Sequence, residues 1–253
     1  MDGWLEVGDR VYVRRYEPWD VSVGVVVGDD GVLVVDTRAT VDEGRELAAD
    51  VGALDPRPPR WVVNTHCHFD HVAGNPAFVP PAATLAHPTV EPPPSSPVPD
   101  RATVDLGGRT VELRHLGPGH TGGDVVVLVP GAGVVFAGDL VEESGPPAYG
   151  DDCHPLDWPA TAARLVGLVR PGDRVVPGHG HVVDRGFVAA QQRDLAHVAR
   201  AICGLWVGEV PLERALAAYG DGWPFPPAAL GDAVARGYRE LDVSAQRLGG
   251  TSG

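Results

Sequence analysis

The sequence of 253 residues contains no lysine, so all of its 20 basic side chains are arginines. Catalysis through a lysine nucleophile or a Schiff base is therefore excluded. Acidic residues number 34, which gives a formal net charge of −14. Because this balance repels polyanions, we expect no nucleic acid among the partners of the protein.

Cysteine is also scarce. Cys67, Cys153 and Cys203 are an odd number and lie far apart, so they predict no disulfide framework and fit a reducing compartment. No apolar run is long enough to span a bilayer, so we expect no membrane partner. Residues 1–4 show no basic region followed by an apolar stretch, so we expect no signal peptide and a cytoplasmic location.

Strand and helix patterns alternate along the chain. Val21–Val27 and Val32–Val35 predict two strands, joined by a turn over residues 28–31. A helix is predicted from Val41 to Val51, with Thr40 and Glu43 in the positions of a capping box. Apolar spacing predicts four further helices, over residues 158–169, 187–206, 212–219 and 228–241.

The most informative stretch is Thr65-His66-Cys67-His68-Phe69-Asp70-His71. In an extended backbone His66 and His68 share one face, while Cys67 points away from them. Asp70 and His71 need a turn to reach the same cavity, so a strand end that runs into a loop is predicted. A lone histidine is usually a core or surface residue. A cluster like this one, however, is costly to desolvate unless a cation lies among its members.

Three later positions repeat one pattern, in which an apolar run and a small residue precede a histidine or an aspartate: His120, Asp139 and His179. The predicted ligands form two sets of three with one bridge: His66, His68 and His120 for a first ion, Asp70, His71 and His179 for a second, and Asp139 between them. Imidazole and carboxylate ligands suit zinc, iron or manganese. We therefore predict two divalent ions, with zinc preferred and iron or manganese as alternatives.

These residues make the sequence similar to the metallo-β-lactamase superfamily, whose members carry a His-x-His-x-Asp-His motif followed by separate His, Asp and His ligands. The resemblance covers roughly residues 11–183. It implies the α+β class and a four-layer αββα sandwich, with two mostly antiparallel sheets between outer helices. We expect this core over residues 1–186 and extra C-terminal helices over 187–253, packed on the same domain. Asp139 resembles the glyoxalase II and lactonase branch, since true β-lactamases usually have Cys or Ser there.

The resemblance implies a hydrolase in which a hydroxide that bridges two metal ions attacks the carbonyl of an ester, thioester, lactone or lactam. Asp70 would orient this hydroxide and carry a proton to the leaving atom. Glyoxalase II itself holds glutathione with basic residues that include lysine, which this chain lacks. The alternative is a non-hydrolytic protein on the same scaffold: an oxidoreductase with a single iron, of the persulfide dioxygenase type, or a metal-dependent binding module.

Three residues are candidates for substrate binding: Tyr149, His154 and His181. Tyr149 and His154 lie in the loop that follows Asp139, and loops at strand ends often line pockets. For both, simple packing or exposure to water is the alternative. His181 lies near His179 and either orients a ligand or belongs to the surface. The expected partner is a small molecule. The oligomeric state stays open, with a homodimer among the alternatives.

Overall fold

A computed structural model describes residues 3–249, in which strands dominate the first two thirds and helices the last third. The strands are β1 Leu5–Gly8, β2 Val11–Tyr16, β3 Val21–Val27, β4 Val32–Val35, β5 Trp61–Val63, β6 Ala83–Ala86, β7 Ser96–Pro97, β8 Arg101–Asp105, β9 Thr110–His115, β10 Val125–Val129, β11 Val134–Glu142 and β12 Arg174–His179. The helices are α1 Val41–Leu54, α2 Phe69–Val72, α3 Trp158–Leu168, α4 Arg185–Val207, α5 Leu212–Tyr219 and α6 Gly231–Gly249.

The strands form two half-sheets of one hydrogen-bonded sheet, in which β3 to β12 follow a single path of neighbours and β2 and β1 branch from β3. The first half-sheet contains β1–β7 and the second contains β8–β12. They join where β12 pairs with β3, through the single residue pair His179 and Val21. Parallel pairs occur from β4 to β7 and between β11 and β12, and the other pairs are antiparallel. The two sheets implied by the resemblance are therefore connected along one edge.

Three hydrophobic clusters separate the layers. One fills the space between the half-sheets and contains Val26 of β3 together with Leu113 of β9. Another contains Val25 of β3 and Leu47 of α1, so it packs α1 on the outer face of the first half-sheet. Adjacent residues of β3 thus enter different layers, because successive side chains of a strand point to opposite faces. The third cluster packs α3, α4 and α6 on β10 and β11. The result is the αββα sandwich of the α+β class, as implied by the resemblance.

Caps explain where the main helices begin. Thr40 accepts a hydrogen bond from the backbone nitrogen of Glu43, and the Glu43 carboxylate accepts one from the backbone nitrogen of Ala39. Helix α4 begins two residues before its predicted start, since the Asp184 carboxylate accepts a bond from the nitrogen of Phe187. Helix α6 begins at Gly231 instead of residue 228, because residues 227–229 form a separate 3₁₀ turn.

The C-terminal helices share a core with the second half-sheet. Ile202 of α4 is fully buried in the same cluster as Val126 of β10 and Val234 of α6. Helix α6 approaches α4 closely, because a Cβ at Gly237 would lie 2.6 Å from Cγ2 of Ile202. The boundary between residues 186 and 187 remains a prediction. The outer ends of the two predicted segments, residues 1–2 and 250–253, lie outside the described residues. Among residues 3–249, no helix combines the length and apolarity that a membrane crossing requires.

Replacing Ile202 with alanine tests whether these helices belong to the same cooperative unit. Ile202→Ala should lower the free energy of unfolding by about 2–5 kcal/mol, because it leaves a cavity between α4 and α6. Urea unfolding followed by far-UV circular dichroism and by tryptophan fluorescence measures the loss. Val207→Ala, in the same helix but 74% exposed, is the control and should change the free energy of unfolding by less than about 0.5 kcal/mol. A separate second transition that alone responds to Ile202→Ala would contradict a single domain.

Candidate metal centre

The seven predicted ligands meet at one edge of the sandwich, and both half-sheets contribute to the group. The first half-sheet supplies the four that follow β5: His66, His68, Asp70 and His71. The second supplies the other three: His120 between β9 and β10, Asp139 in β11 and His179 at the end of β12. As predicted, the chain turns between His68 and Asp70, because the one-turn helix α2 begins at Phe69.

Asp139 lies inside β11 and not at its end, so its entry into the site needs a local irregularity. The pairing of β11 with β12 changes register around Gly138, whose φ is +53°. A bulge of this kind re-aims neighbouring side chains. Gly178 of β12 leaves room for the carboxylate, since a Cβ at Gly178 would lie 1.8 Å from Oδ1 of Asp139. Two glycines therefore allow the Asp139 carboxylate to occupy the middle of the site.

The first cluster contains His66, His68, His120 and Asp139, and their ligand atoms all lie within 4.8 Å of one another. Nδ1 of His68 lies 2.8 Å from Nε2 of His120. Oδ2 of Asp139 lies 3.4 Å from Nε2 of His120 and 3.7 Å from Nε2 of His66. Ligands around one tetrahedral zinc ion are separated by roughly 3.4 Å. The cluster therefore has the dimensions of a metal site.

The second cluster contains Asp70, His71 and His179. Oδ2 of Asp70 lies 3.6 Å from Nε2 of His71 and 3.3 Å from Nε2 of His179. Asp139 reaches this cluster as well, because its Oδ1 lies 3.2 Å from Nε2 of His71 and its Oδ2 lies 3.4 Å from Nε2 of His179. One carboxylate thus contacts imidazole rings of both clusters.

Two of the rings have the electronic form that metal binding requires. Burial lowers the pKa of His66 well below its ordinary value, and the neighbouring His71 lowers that pKa further. Burial also lowers the pKa of His120 to about 4. Both rings are therefore neutral at pH 7, and within residues 3–249 the buried Nε2 of His66 has no hydrogen-bond partner. A cation in the first cluster would satisfy this atom, so the residues fit a metal ion.

The rings of His71 and His179 carry protons in the metal-free protein. Although burial opposes it, the carboxylates of Asp139 and Asp36 raise the pKa of His71 well above its ordinary value. Burial also lowers the pKa of His179, but Asp139 and Asp70 raise it to about 11. Burial would raise the pKa of Asp139, but the surrounding imidazoles, His71 first, hold it well below its ordinary value. Protonated rings therefore balance the buried carboxylates.

Contacts on the outer side of four rings fix which nitrogen faces the site. The Asp36 carboxylate lies 2.8 Å from Nδ1 of His71. The Asp152 carboxylate lies 3.2 Å from Nε2 of His68. Two backbone oxygens accept from the remaining rings: that of Ala148 from Nδ1 of His120 at 2.9 Å, and that of Trp19 from Nδ1 of His179 at 2.7 Å. These contacts leave the opposite nitrogen of each ring free for a metal.

Asp36 is the most important of the residues that the sequence interpretation missed. It also accepts bonds from the backbone nitrogen and from Oγ1 of Thr65, both at 2.8 Å. It directly follows the apolar strand β4, as part of the pattern at His120, Asp139 and His179 requires, but no small residue precedes it. Its φ of +62° is a conformation that aspartate tolerates better than most residues.

Two further acidic residues at the site carry no comparable sequence signal. Asp152 lies in a loop far along the chain from His68. Glu142 is 6% exposed and forms a third group of ligand atoms with Asp139 and His179. Burial raises the pKa of Glu142 well above its ordinary value, and the adjacent Asp139 raises it further.

A cleft of about 740 Å³ opens at the two clusters. Besides the ligands His68, Asp70, His120, Asp139 and His179, it is lined by Trp19, Phe69, Glu142, residues 146–150, Ala228, Ala229, Gly231 and Asp232. The last four precede or begin α6. The C-terminal helices, whose role the sequence left undefined, therefore form part of the cleft wall.

The three candidate substrate residues have different positions. Tyr149 lines the cleft, but its hydroxyl is buried without a hydrogen-bond partner, and burial raises its pKa well above the ordinary value. His154 lies in a neighbouring groove, 3.5 Å from Glu240. His181 has a side chain that is 74% exposed and contacts Glu143. Neither histidine lines the cleft, so contact of these three side chains with substrate stays a prediction that their placement does not favour.

Comparison with known proteins gives a consistent result. The family model described as "Metallo-beta-lactamase superfamily" matches residues 16–181. The 2,4-dinitroanisole O-demethylase subunit alpha of Nocardioides sp. (strain JS1661) is 29% identical over 186 residues, which are 65% of this chain and 56% of that protein. The chain thus spans about half the length of that relative. A hydroxyacylglutathione hydrolase of Anaeromyxobacter dehalogenans (strain 2CP-C) is 29% identical over 239 residues, which are 91% of this chain and 85% of that protein.

A solved structure supports the same fold. The metallo-beta-lactamase from Pontibacter korlensis superposes with a TM-score of 0.69 at 22% sequence identity. The superposition covers 76% of this chain and 98% of that protein.

Replacing Asp36 tests its role in orienting His71. Asp36→Asn should weaken zinc binding by about 10–100-fold, because an amide cannot replace the carboxylate toward both Thr65 and the His71 ring. Competition against a chromophoric chelator measures the affinity. Asp30→Asn, in the exposed turn between β3 and β4, is the control and should bind zinc as the wild type does. Unchanged affinity in Asp36→Asn would show that this contact does not orient the ligand.

The raised pKa values of His71 and His179 predict proton release on metal binding. At pH 7 both rings hold a proton in the metal-free protein, so zinc should displace at least about one proton per chain, and its apparent affinity should rise as the pH increases above 7. Calorimetric enthalpies of zinc binding in buffers of different ionisation enthalpy measure the number released. His179→Ala should release fewer protons. His197 contacts Tyr219 outside both clusters, so His197→Ala is the control and should match the wild type. Enthalpies independent of the buffer would contradict the protonated state.

Proposed function

The chain belongs to the metallo-beta-lactamase superfamily, and from this premise we propose that it is a binuclear metallohydrolase that cleaves a small carbonyl compound. The substrate class is an ester, thioester, lactone or lactam. Zinc is the proposed metal, with iron or manganese as alternatives, and the cytoplasm is the proposed location. A cleft of about 740 Å³ suits a small molecule.

One observation carries the proposal of two ions. Asp139 contacts His66 and His120 of the first cluster, at 3.7 and 3.4 Å. The same carboxylate contacts His71 and His179 of the second cluster, at 3.2 and 3.4 Å. Each cluster also has three other ligand atoms of its own. A carboxylate between two complete ligand sets is the arrangement that a pair of ions requires.

Divalent ions in these clusters would polarise the substrate carbonyl and lower the pKa of a water molecule for attack on it. The protein side chains would supply the rest. Asp70 lines the cleft, and its Oδ2 is held 3.3 Å from Nε2 of His179. In this position Asp70 accepts a proton from the attacking water and delivers it to the leaving oxygen, sulfur or nitrogen. The water oxygen becomes bonded to the acyl carbon as the bond to the leaving atom breaks.

The oxidoreductase with a single iron differs from this proposal in metal content. Such an enzyme needs only one occupied cluster, whereas both clusters here have the dimensions of a site. No contact within residues 3–249 favours a single ion over a pair. The same measurement of metal content therefore separates the two functions.

Replacing Asp139 tests the shared site. Wild-type protein purified without chelator should contain about two metal ions per chain by elemental analysis, and Asp139→Ala should lose most of both, because the variant removes a ligand common to the two clusters. Its hydrolysis of p-nitrophenyl esters should fall by at least about 100-fold. Asp221→Ala, an exposed aspartate in the turn after α5, is the matched control and should keep both metal and activity. One iron per chain with oxygen uptake on a persulfide would instead favour the oxidoreductase.

A further inference from the structure

Among the described residues, no permanently cationic side chain lines the cleft. Arginine is absent from its lining, and the whole chain lacks lysine. Its three histidines, His68, His120 and His179, are already members of the metal clusters. A carboxylate or phosphate on a part of the substrate that lies away from the metal clusters would therefore find no cationic side chain among the described lining residues. Such an anion is costly to desolvate without a partner.

Acidic groups occupy the positions where an anion-binding residue would be useful. Glu142 lines the cleft beside Asp139, and in either protonation state it supplies no positive charge. Asp232, in the first turn of α6, also lines the cleft and is exposed. The nearest arginine along that helix, Arg236, is engaged elsewhere. Its guanidinium donates to the backbone oxygen of Cys153 and lies 3.9 Å from Glu240.

The rest of the lining is apolar. Trp19 and Phe69 are 49% and 53% exposed, and their rings contact each other edge to face at 5.1 Å between centroids. Exposure of two large aromatic rings at the mouth of a cleft provides a surface for an apolar group. Pro146, Pro147 and Ala228 are among the other apolar residues of the lining.

We propose that this cleft selects substrates whose non-reacting part is uncharged and apolar, and discriminates against substrates that carry a second, anionic group. The inference rests on the proposed hydrolase and specifies its substrate class. The apolar arm packs against Trp19 and Phe69 while the carbonyl lies at the two clusters. Asp232 is a specificity-determining residue, because its carboxylate repels an anionic arm.

A matched pair of esters tests the selectivity. p-Nitrophenyl hexanoate and mono-p-nitrophenyl adipate have acyl chains of equal length that differ in a terminal methyl or carboxylate. We expect kcat/KM of the zinc-loaded protein to be at least about 100-fold higher for the hexanoate. A ratio near one, or a preference for the adipate, would overturn the proposal while leaving the hydrolase intact.

Binding without turnover provides an independent measurement. Hexanamide and adipamate form the corresponding amide pair, and titration of tryptophan fluorescence in the wild type, corrected with Trp19→Phe, reports occupancy at the cleft mouth. We expect adipamate to bind at least about tenfold more weakly than hexanamide. If neither ester is hydrolysed but hexanamide binds preferentially, the hydrolase proposal fails for esters and the selectivity stands. Equal binding of the two amides, or no binding of hexanamide, would overturn the selectivity.

Reversing one charge identifies the residue responsible. Asp232→Arg should raise the adipate-to-hexanoate ratio of kcat/KM by at least about fivefold, because it places the missing cation at the cleft. Asp221→Arg makes the same change of charge on an exposed aspartate that does not line the cleft, and it should leave the ratio at the wild-type value. An equal shift in both variants would show a general effect of net charge and would remove Asp232 from the proposal.

Discussion

The contacts of the Asp139 carboxylate are the constraint on which the site depends. This group is 4% exposed and is surrounded by the imidazoles of His66, His71, His120 and His179. A buried carboxylate is stable only among positive charges, whether these are protons on neighbouring rings or metal ions. The bulge at Gly138 and the missing side chain at Gly178 follow from the same requirement, since both give the carboxylate the space it needs.

The cleft walls are tied to the ligands through the backbone. The carbonyl of Trp19 accepts from His179, and the carbonyl of Ala148 accepts from His120. The ring of Trp19 and the prolines before Ala148 form walls of the cleft. Segments that shape the substrate space therefore also orient metal ligands, so a change in either loop affects both.

Through its resemblance to a known family the sequence predicted the αββα fold, and it proposed seven ligands that the structure brings together, because these ligands lie in short motifs next to apolar runs. Three kinds of information were missing from it. Asp152 contacts His68 across 84 positions of the chain, so only the folded topology reveals the pair. The direction of the Tyr149 hydroxyl depends on how a loop packs. The contribution of Ala228 and Asp232 to the cleft depends on where α6 docks. Asp36 differs from these, because it directly follows an apolar strand, so part of the strand-end pattern is present in the sequence.

The half-sheets meet at a single ladder pair of residues, and this has a consequence for how the metal centre forms. The first half-sheet carries His66, His68, Asp70 and His71, and the second carries His120, Asp139 and His179. Each ion would therefore take ligands from both half-sheets, which share one ladder pair of residues. The centre thus resembles a metal site between two subunits, except that both parts belong to one chain. Neither half-sheet alone holds a complete set of the predicted ligands, so a bound pair of ions would link the two half-sheets, and the ligand sets are complete only once these have packed on each other.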